Sequence, residues 1–188
     1  MKKAIVYYSM SGNTEYVAKY ISDKIDADLI KIEPKKEYPN KGIKKFLWGG
    51  KSAIMGETPA LEKYKFDSDK YDCIIFGTPV WASSFTPPIR TFIKENKEKL
   101  NGKKLAAFIC YMGGGAEKAI EKLKQFLEIS EFAAELVLID PKDKKSDEKD
   151  KRVEEFCEKI NSKLSWCAEY CNITNMFNKK IGGRLWKW

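Results

Sequence analysis

The sequence predicts an α/β domain of three layers, a five-stranded parallel sheet held between helices. Five short, almost wholly apolar segments alternate with segments of helical periodicity, and the turns rich in glycine and small polar residues follow the apolar segments. Strands apolar on both sides need cover on both faces, which is the condition of a parallel sheet wrapped by helices.

Residues 3–8, KAIVYY, make the first strand. Val17, Ala18, Ile21 and Ile25 then recur at helical spacing, and a second strand spans Leu29 to Ile32. Strand, helix and strand in such quick succession form a βαβ unit with a right-handed crossover. Residues 71–77, YDCIIFG, are the third strand. Thr86 ahead of Pro87 and Pro88 reads as an N-cap with proline in the first turn, so a helix is predicted over 87–97. Lys104 to Cys110 is the fourth strand, and Ala119, Ile120, Leu123, Phe126 and Leu127 mark the helix after it. Ala134 to Ile139 is the fifth strand, ended by Pro141. Val153, Phe156, Cys157, Ile160 and Leu164 then give a last helix one apolar face.

The stretch 34–69 is less periodic. It holds Pro34, Pro39 and Pro59, glycines 42, 49, 50 and 56, and a short amphipathic piece from Ile43 to Trp48. Two readings stand: a long excursion with a brief helix, or an unrecognised crossover helix. Aromatic residues here are candidates for covering a ligand, and Trp48 reads equally as entrance lining or as packing.

At 188 residues the chain suffices for one doubly wound domain of about 150 residues with an appendage, and is short for two. No stretch approaches the roughly 20 apolar residues that cross a bilayer. The opening MKKAIVYYSM imitates a signal peptide but passes straight into Ser11-Gly12-Asn13-Thr14 with no cleavage site, so it reads as a core strand and the protein as cytoplasmic. Cys73, Cys110 and Cys157 fall on inward-facing positions, as free thiols do in a reducing compartment. Histidine is absent, which excludes His-dependent triads, imidazole zinc ligands and histidine general bases. The net charge of +8 raises the question of nucleic acid, but lysines and glutamates interleave, as in KENKEK at 94–99. That pattern is a solvated surface, and no nucleic-acid partner is expected.

Three turns at strand ends carry the functional reading. Ser9, Met10, Ser11, Gly12, Asn13 and Thr14 follow the first strand and open the first helix. Small hydroxyl residues and a glycine permit a tight turn whose amides converge on an anion at a helix N-terminus, and a terminal phosphate suits it. The lysine and spacing of GxxxxGK[ST] are missing, as is GxGxxG. Thr78, Pro79, Val80, Trp81 and Ala82 follow the third strand, and an indole there can stack on a planar ligand. Tyr111, Met112, Gly113, Gly114 and Gly115 end the fourth strand, where glycines allow close backbone approach. Ligands of open α/β sheets bind at the carboxyl ends of strands, which is where all three turns lie.

With those residues in view, SMSGNT after AIVYY resembles the FMN phosphate loop of the flavodoxin-like family, and GTPVWASSFTPPIRTF at 77–92 resembles its second flavin-contacting loop. With the triple glycine, the likeness covers residues 1–164 and leaves 165–188 as a Cys- and Trp-containing basic extension. The resemblance implies the sheet order 2-1-3-4-5 and non-covalent FMN. It places the phosphate on Ser9 to Thr14, the ring among Thr78 to Ala82, and Tyr111 to Gly115 along the ring's flank. It calls for no protein nucleophile, no catalytic side chain and no metal, and the phosphate meets neutral donors rather than a lysine. Two roles stay open: an FMN-dependent oxidoreductase passing reducing equivalents from NAD(P)H to a quinone, flavin or similar small acceptor, and an electron carrier docking on redox proteins. The strong positive charge departs from the common acidic flavodoxin pattern, which weakens the case for the usual partners of acidic carriers.

The extension carries Trp166, Trp186, Trp188, Cys167, Cys171, Lys179, Lys180, Arg184 and Lys187, with Gly182 and Gly183 against one uninterrupted helix. Packing over the domain, an oligomer contact such as a homodimer, and rest on an anionic surface are its three readings. Two thiols without a second pair or a histidine are weak support for a metal.

Overall fold

Strands β1 (Lys3–Tyr7), β2 (Ala27–Lys31), β3 (Cys73–Pro79), β4 (Lys104–Tyr111) and β5 (Glu135–Ile139) pair in parallel, in the order β2-β1-β3-β4-β5. This is the order that the resemblance implied. The computed structural model describes residues 1–38, 50–144 and 146–162. Ile43 to Trp48, Leu164 and the extension 165–188 therefore lie outside the described residues.

Helices α1 (Asn13–Ile25), α2 (Pro87–Leu100), α3 (Ala116–Leu127) and α4 (Asp147–Asn161) cover the sheet. Successive strand residues point to opposite faces, and here both faces are buried. On one side Ala4, Val6, Ile74, Phe76, Ala107 and Ile109 pack against Ile89, Phe92 and Ile93 of α2 and Ala119, Ile120 and Leu123 of α3. On the other, Ile5, Tyr7, Ile75, Ala106 and Phe108 meet Val17 and Ile21 of α1 and Val153, Phe156 and Ile160 of α4. Cys73, Cys110 and Cys157 belong to this second core as buried free thiols.

Gly77 stands in register between Tyr7 and Phe108. A β-carbon there would lie 2.7 Å from Phe108 Cε1 and 2.9 Å from Tyr7 Cβ, so the glycine lets the phenyl ring lie across β3. The helix predicted over 87–97 continues to Leu100 because Asn96 and Leu100 still face the core. Thr86 holds the N-cap position, but its hydroxyl does not cap the helix. It lies 2.9 Å from Thr78 Oγ1, which also accepts from the Thr86 amide at 3.1 Å.

Among the described residues, 34–69 is an excursion whose helical parts are 50–54 and a single turn at Ser68–Lys70. Its two ends are tied together by an antiparallel bridge between Pro34 and Leu61. The Lys35 amide donates to Ala60 O and the Glu62 amide to Glu33 O, both at 2.8 Å. The returning chain thus stays beside the carboxyl end of β1, where the first turn begins.

Candidate functional site

The first turn is shaped by Gly12, whose φ of 89° lies in the left-handed region that a β-carbon disfavours. Ser9 Oγ accepts from the amides of Gly12 at 3.2 Å and Glu15 at 3.1 Å, folding the turn back onto the start of α1. The amides of Ser11, Asn13 and Thr14 have no acceptor among the described residues. They are the free donors that every helix N-terminus carries, at the end where the helix dipole favours negative charge. Glu15, the acid of the first turn, is engaged by Lys19 at 2.8 Å and Lys31 at 3.8 Å. The hydrogen bond from Lys19 is the main reason its carboxyl is held below the usual range.

The second turn leaves β3 at Pro79. Trp81 and Ser84 exchange backbone hydrogen bonds of 2.9 and 3.0 Å around Ala82 and Ser83, with φ of 48° and 54°. Two successive left-handed residues make the tight hairpin turn that glycine and asparagine usually build. In alanine and serine that conformation is strained by roughly 1 kcal/mol or more per residue. The turn fixes the indole, which is met edge-on by Tyr38 at 4.9 Å between ring centroids and by Tyr8 at 5.7 Å. Burial raises the pKa of both phenols, so these tyrosines are neutral neighbours of Trp81 at any physiological pH.

The third turn ends β4. Gly115, with φ of 83°, is the N-cap of α3 and packs against Ser83 of the second turn. At Gly113 and Gly114 an added β-carbon would meet nothing within 4 Å. Protein packing therefore demands the absence of a side chain at Gly115 and does not demand it at the other two.

The three turns surround one cavity of about 180 Å³ at the carboxyl ends of β1, β3 and β4. Of the residues singled out from the sequence, Met10, Ser11, Asn13, Pro79, Val80, Trp81, Ala82, Tyr111, Met112, Gly113 and Gly114 line it. Ser9, Gly12, Thr14, Thr78 and Gly115 do not. Ser9, Gly12 and Gly115 shape the turns. Thr78 is fully buried in its bonds to Thr86. Thr14 is buried beside the Cys110 thiol, where its hydroxyl partly offsets the burial that pushes the Cys110 pKa up to about 12. Gly50 and Cys110 also line the cavity and were missed. Gly50 belongs to the weakly patterned excursion, whereas Cys110 reads only as a core strand residue.

A larger cavity, about 640 Å³, lies at the amino ends of the strands between Lys3, Asp72, Lys104 and Asn161. Its buried cation is already committed: Lys104 Nζ donates to the carbonyls of Ile160 at 2.8 Å, Ser162 at 3.2 Å and Lys159 at 3.3 Å, capping the C-terminus of α4. The smaller cavity brings together Ser11 and Asn13 with their free amides, the indole and the open glycines, so it is the candidate site. Among the described residues no cluster of three or more Cys, Asp or Glu is placed to hold a metal ion, and no helix is long and apolar enough to cross a membrane.

Comparison with known proteins agrees with this architecture. A family model described as flavodoxin matches residues 2–156. A flavoprotein of Lactobacillus acidophilus NCFM solved in complex with FMN superposes with a TM-score of 0.63 at 22% identity, covering 82% of this chain and 97% of its own. Two-electron reduced Megasphaera elsdenii flavodoxin gives 0.54 at 19% identity, covering 84% and 99%. Oxidised flavodoxin 1 of Bacillus cereus gives 0.53 at 19%, covering 88% and 100%. At such identities the superpositions speak to the fold.

Proposed function

From the premise that this chain belongs to the flavodoxin family, we propose that it holds FMN non-covalently in the cavity between its three turns and works as an oxidoreductase. In this reading it takes reducing equivalents from NAD(P)H and passes them to a quinone, flavin or similar small acceptor.

One observation carries the cofactor assignment: Ser11 and Asn13, whose amides are free, and the indole of Trp81 line a single cavity. An anion at one end and a flat apolar body at the other describe the ligand that such a site takes. The amides of Ser11, Asn13 and Thr14 and the Ser11 hydroxyl hold the phosphate, with Ser9 and Gly12 shaping their turn. Pro79, Val80, Trp81 and Ala82 form one flank of the ring site, and Tyr111, Met112, Gly113 and Gly114 the other. The open space at Gly113 and Gly114 leaves room for a ligand against the backbone.

Bound FMN supplies hydride and single-electron chemistry, and the protein's part is to position the ring and set its electrostatic surroundings. Support for a small-molecule acceptor comes from the excursion. Gly50 lines the cavity, where a β-carbon on it would lie 3.8 Å from Ala82 Cβ, and Tyr38 packs on Trp81, which gives the ring site a wall. A second reading, the electron carrier, is favoured by exposed apolar side chains. Met112 on the cavity lining is 64% exposed, and Ile54 and Met55, following Gly50, are 74% and 65% exposed, as a protein-docking rim would be.

Purification without added cofactor, an absorbance spectrum and anaerobic titration with NADH and NADPH test both. A yellow protein bleached rapidly by either nucleotide supports the reductase. Flavin that responds only to dithionite or to a reductase protein supports the carrier, and a chain that takes up no FMN removes both.

A further inference from the structure

The turn Ser9–Thr14 contains no basic residue, yet the fold delivers a lysine to it from 129 positions along the chain. Beyond β5, Asp140 adopts a φ of 40° and its amide donates to Tyr111 O at 3.0 Å, reversing the chain at the rim of the sheet. Pro141 is buried in that turn. The next amide, of Lys142, donates to Asn13 Oδ1 at 2.9 Å, so the loop after β5 is fastened directly to the phosphate turn. The Lys142 ammonium then lies 3.4 Å from the point that a β-carbon of Gly12 would occupy, with Cδ at 3.8 Å.

Resting on the FMN assignment above, the geometry points to Lys142 as a phosphate-recognising residue, a cation standing beside the anion held by the amides of Ser11, Asn13 and Thr14. Neighbouring acids are engaged elsewhere. Asp140 faces Lys144 at 3.7 Å, and Glu15 is held mainly by its hydrogen bond from Lys19, with Lys31 and, more weakly, Lys142 adding attraction. Among the described residues Lys142 Nζ has no carboxylate within ion-pair distance. Its stem lies beside the one residue of the turn that lacks a side chain; the left-handed φ of Gly12 is what requires glycine there, since a β-carbon would meet the lysine only at ordinary contact distance. Asn13 serves twice. Its amide faces the anion, and its side-chain oxygen holds the loop that carries the cation.

A cation at the phosphate distinguishes FMN from riboflavin, because only the nucleotide brings negative charge to the turn. Its attraction is screened by salt, while contacts of the ring are not. The experiment measures dissociation constants of FMN and of riboflavin by flavin fluorescence at several salt concentrations, for the full-length wild type, Lys142→Gln and Lys142→Arg. Lys142→Gln should bind FMN on the order of tenfold more weakly, with riboflavin affinity unchanged and a flatter dependence of FMN affinity on salt. Lys142→Arg should restore most of the loss. Equal FMN affinity in the wild type and Lys142→Gln, or an equal loss for both flavins, overturns the role of Lys142 and leaves the FMN assignment standing. Failure of the wild type to bind FMN overturns both.

Discussion

Ser83 and Gly115 lock two of the three turns together: a β-carbon on Gly115 would stand 2.8 Å from Ser83 Cβ and 3.0 Å from its Cα. The position is over-determined, since Gly115 also has the left-handed φ of 83°. Gly115→Ala should therefore meet both conformational strain and a clash with backbone that cannot rotate away. A loss of about 2–5 kcal/mol in unfolding free energy is expected, from roughly 1–2 for the dihedral and 1–3 for overpacking. Urea denaturation measures it, and FMN affinity should fall with it as the Trp81 turn is displaced. A variant of wild-type stability and affinity would show that the two turns are not mechanically joined.

Trp81 is presented by a strained turn and braced by two tyrosine edges, a setting suited to holding an indole in one orientation. Removing the indole in Trp81→Ala should weaken FMN binding by about tenfold or more, on the scale of ~1–3 kcal/mol for one aromatic stacking partner. Trp81→Phe should recover much of that. Flavin titration reads the affinity and an anaerobic dye equilibrium reads the potential. Unchanged values of both in Trp81→Ala would take Trp81 out of the ring site.

The unequal legibility of these features in the sequence has physical causes. β1, β3 and β4 are visible because central strands of a parallel sheet are apolar on both faces, and Val153, Phe156, Cys157 and Ile160 declare α4 by period alone. The three turns are visible because tight strand-to-helix reversals draw on glycine, serine and threonine. Gly50 and Lys142 are not, because each reaches the site by a tertiary path. Gly50 arrives through a bridge between Pro34 and Leu61, and Lys142 through its bond to Asn13. An exposed lysine among many carries no pattern. Thr78 illustrates the opposite case: the resemblance placed it beside the ring, and the structure shows its hydroxyl engaged inside the protein by Thr86, a tertiary bond that the sequence does not display.

That placement of Thr78 makes a distinct forecast. Its Oγ1 lies 2.9 Å from Thr86 Oγ1, accepts from the Thr86 amide at 3.1 Å, and donates to Pro79 O at 3.1 Å, all in the core. Thr78→Val keeps the shape and leaves Thr86 with an unpaired buried amide. Stability should drop by about 1–3 kcal/mol. FMN affinity, measured well below the unfolding transition, should change little, because the hydroxyl is not on the cavity. A large loss of affinity without a loss of stability would return Thr78 to the binding surface.

The buried thiols set an alkaline limit on stability. Burial pushes Cys73 and Cys157 up to about 11 and Cys110 up to about 12, from an ordinary value of 9.0. Below pH 9 both native and unfolded chains keep these protons, so the contribution is fully present. As pH rises past 9 the unfolded chain loses them while the native thiols do not, which favours unfolding. The loss continues to about pH 11 for Cys73 and Cys157 and about pH 12 for Cys110. Tyr64, raised to about 12 mainly by burial, acts in the same sense from pH 10 upward. Urea midpoints should therefore fall steadily above pH 9. The double variant Cys73→Ala, Cys110→Ala should show a shallower fall between pH 9 and 11, whatever its stability at neutral pH. A slope equal to that of the wild type would mean that these thiols ionise as readily in the native protein as in the unfolded chain, and that solvent reaches the α1–α4 face of the sheet.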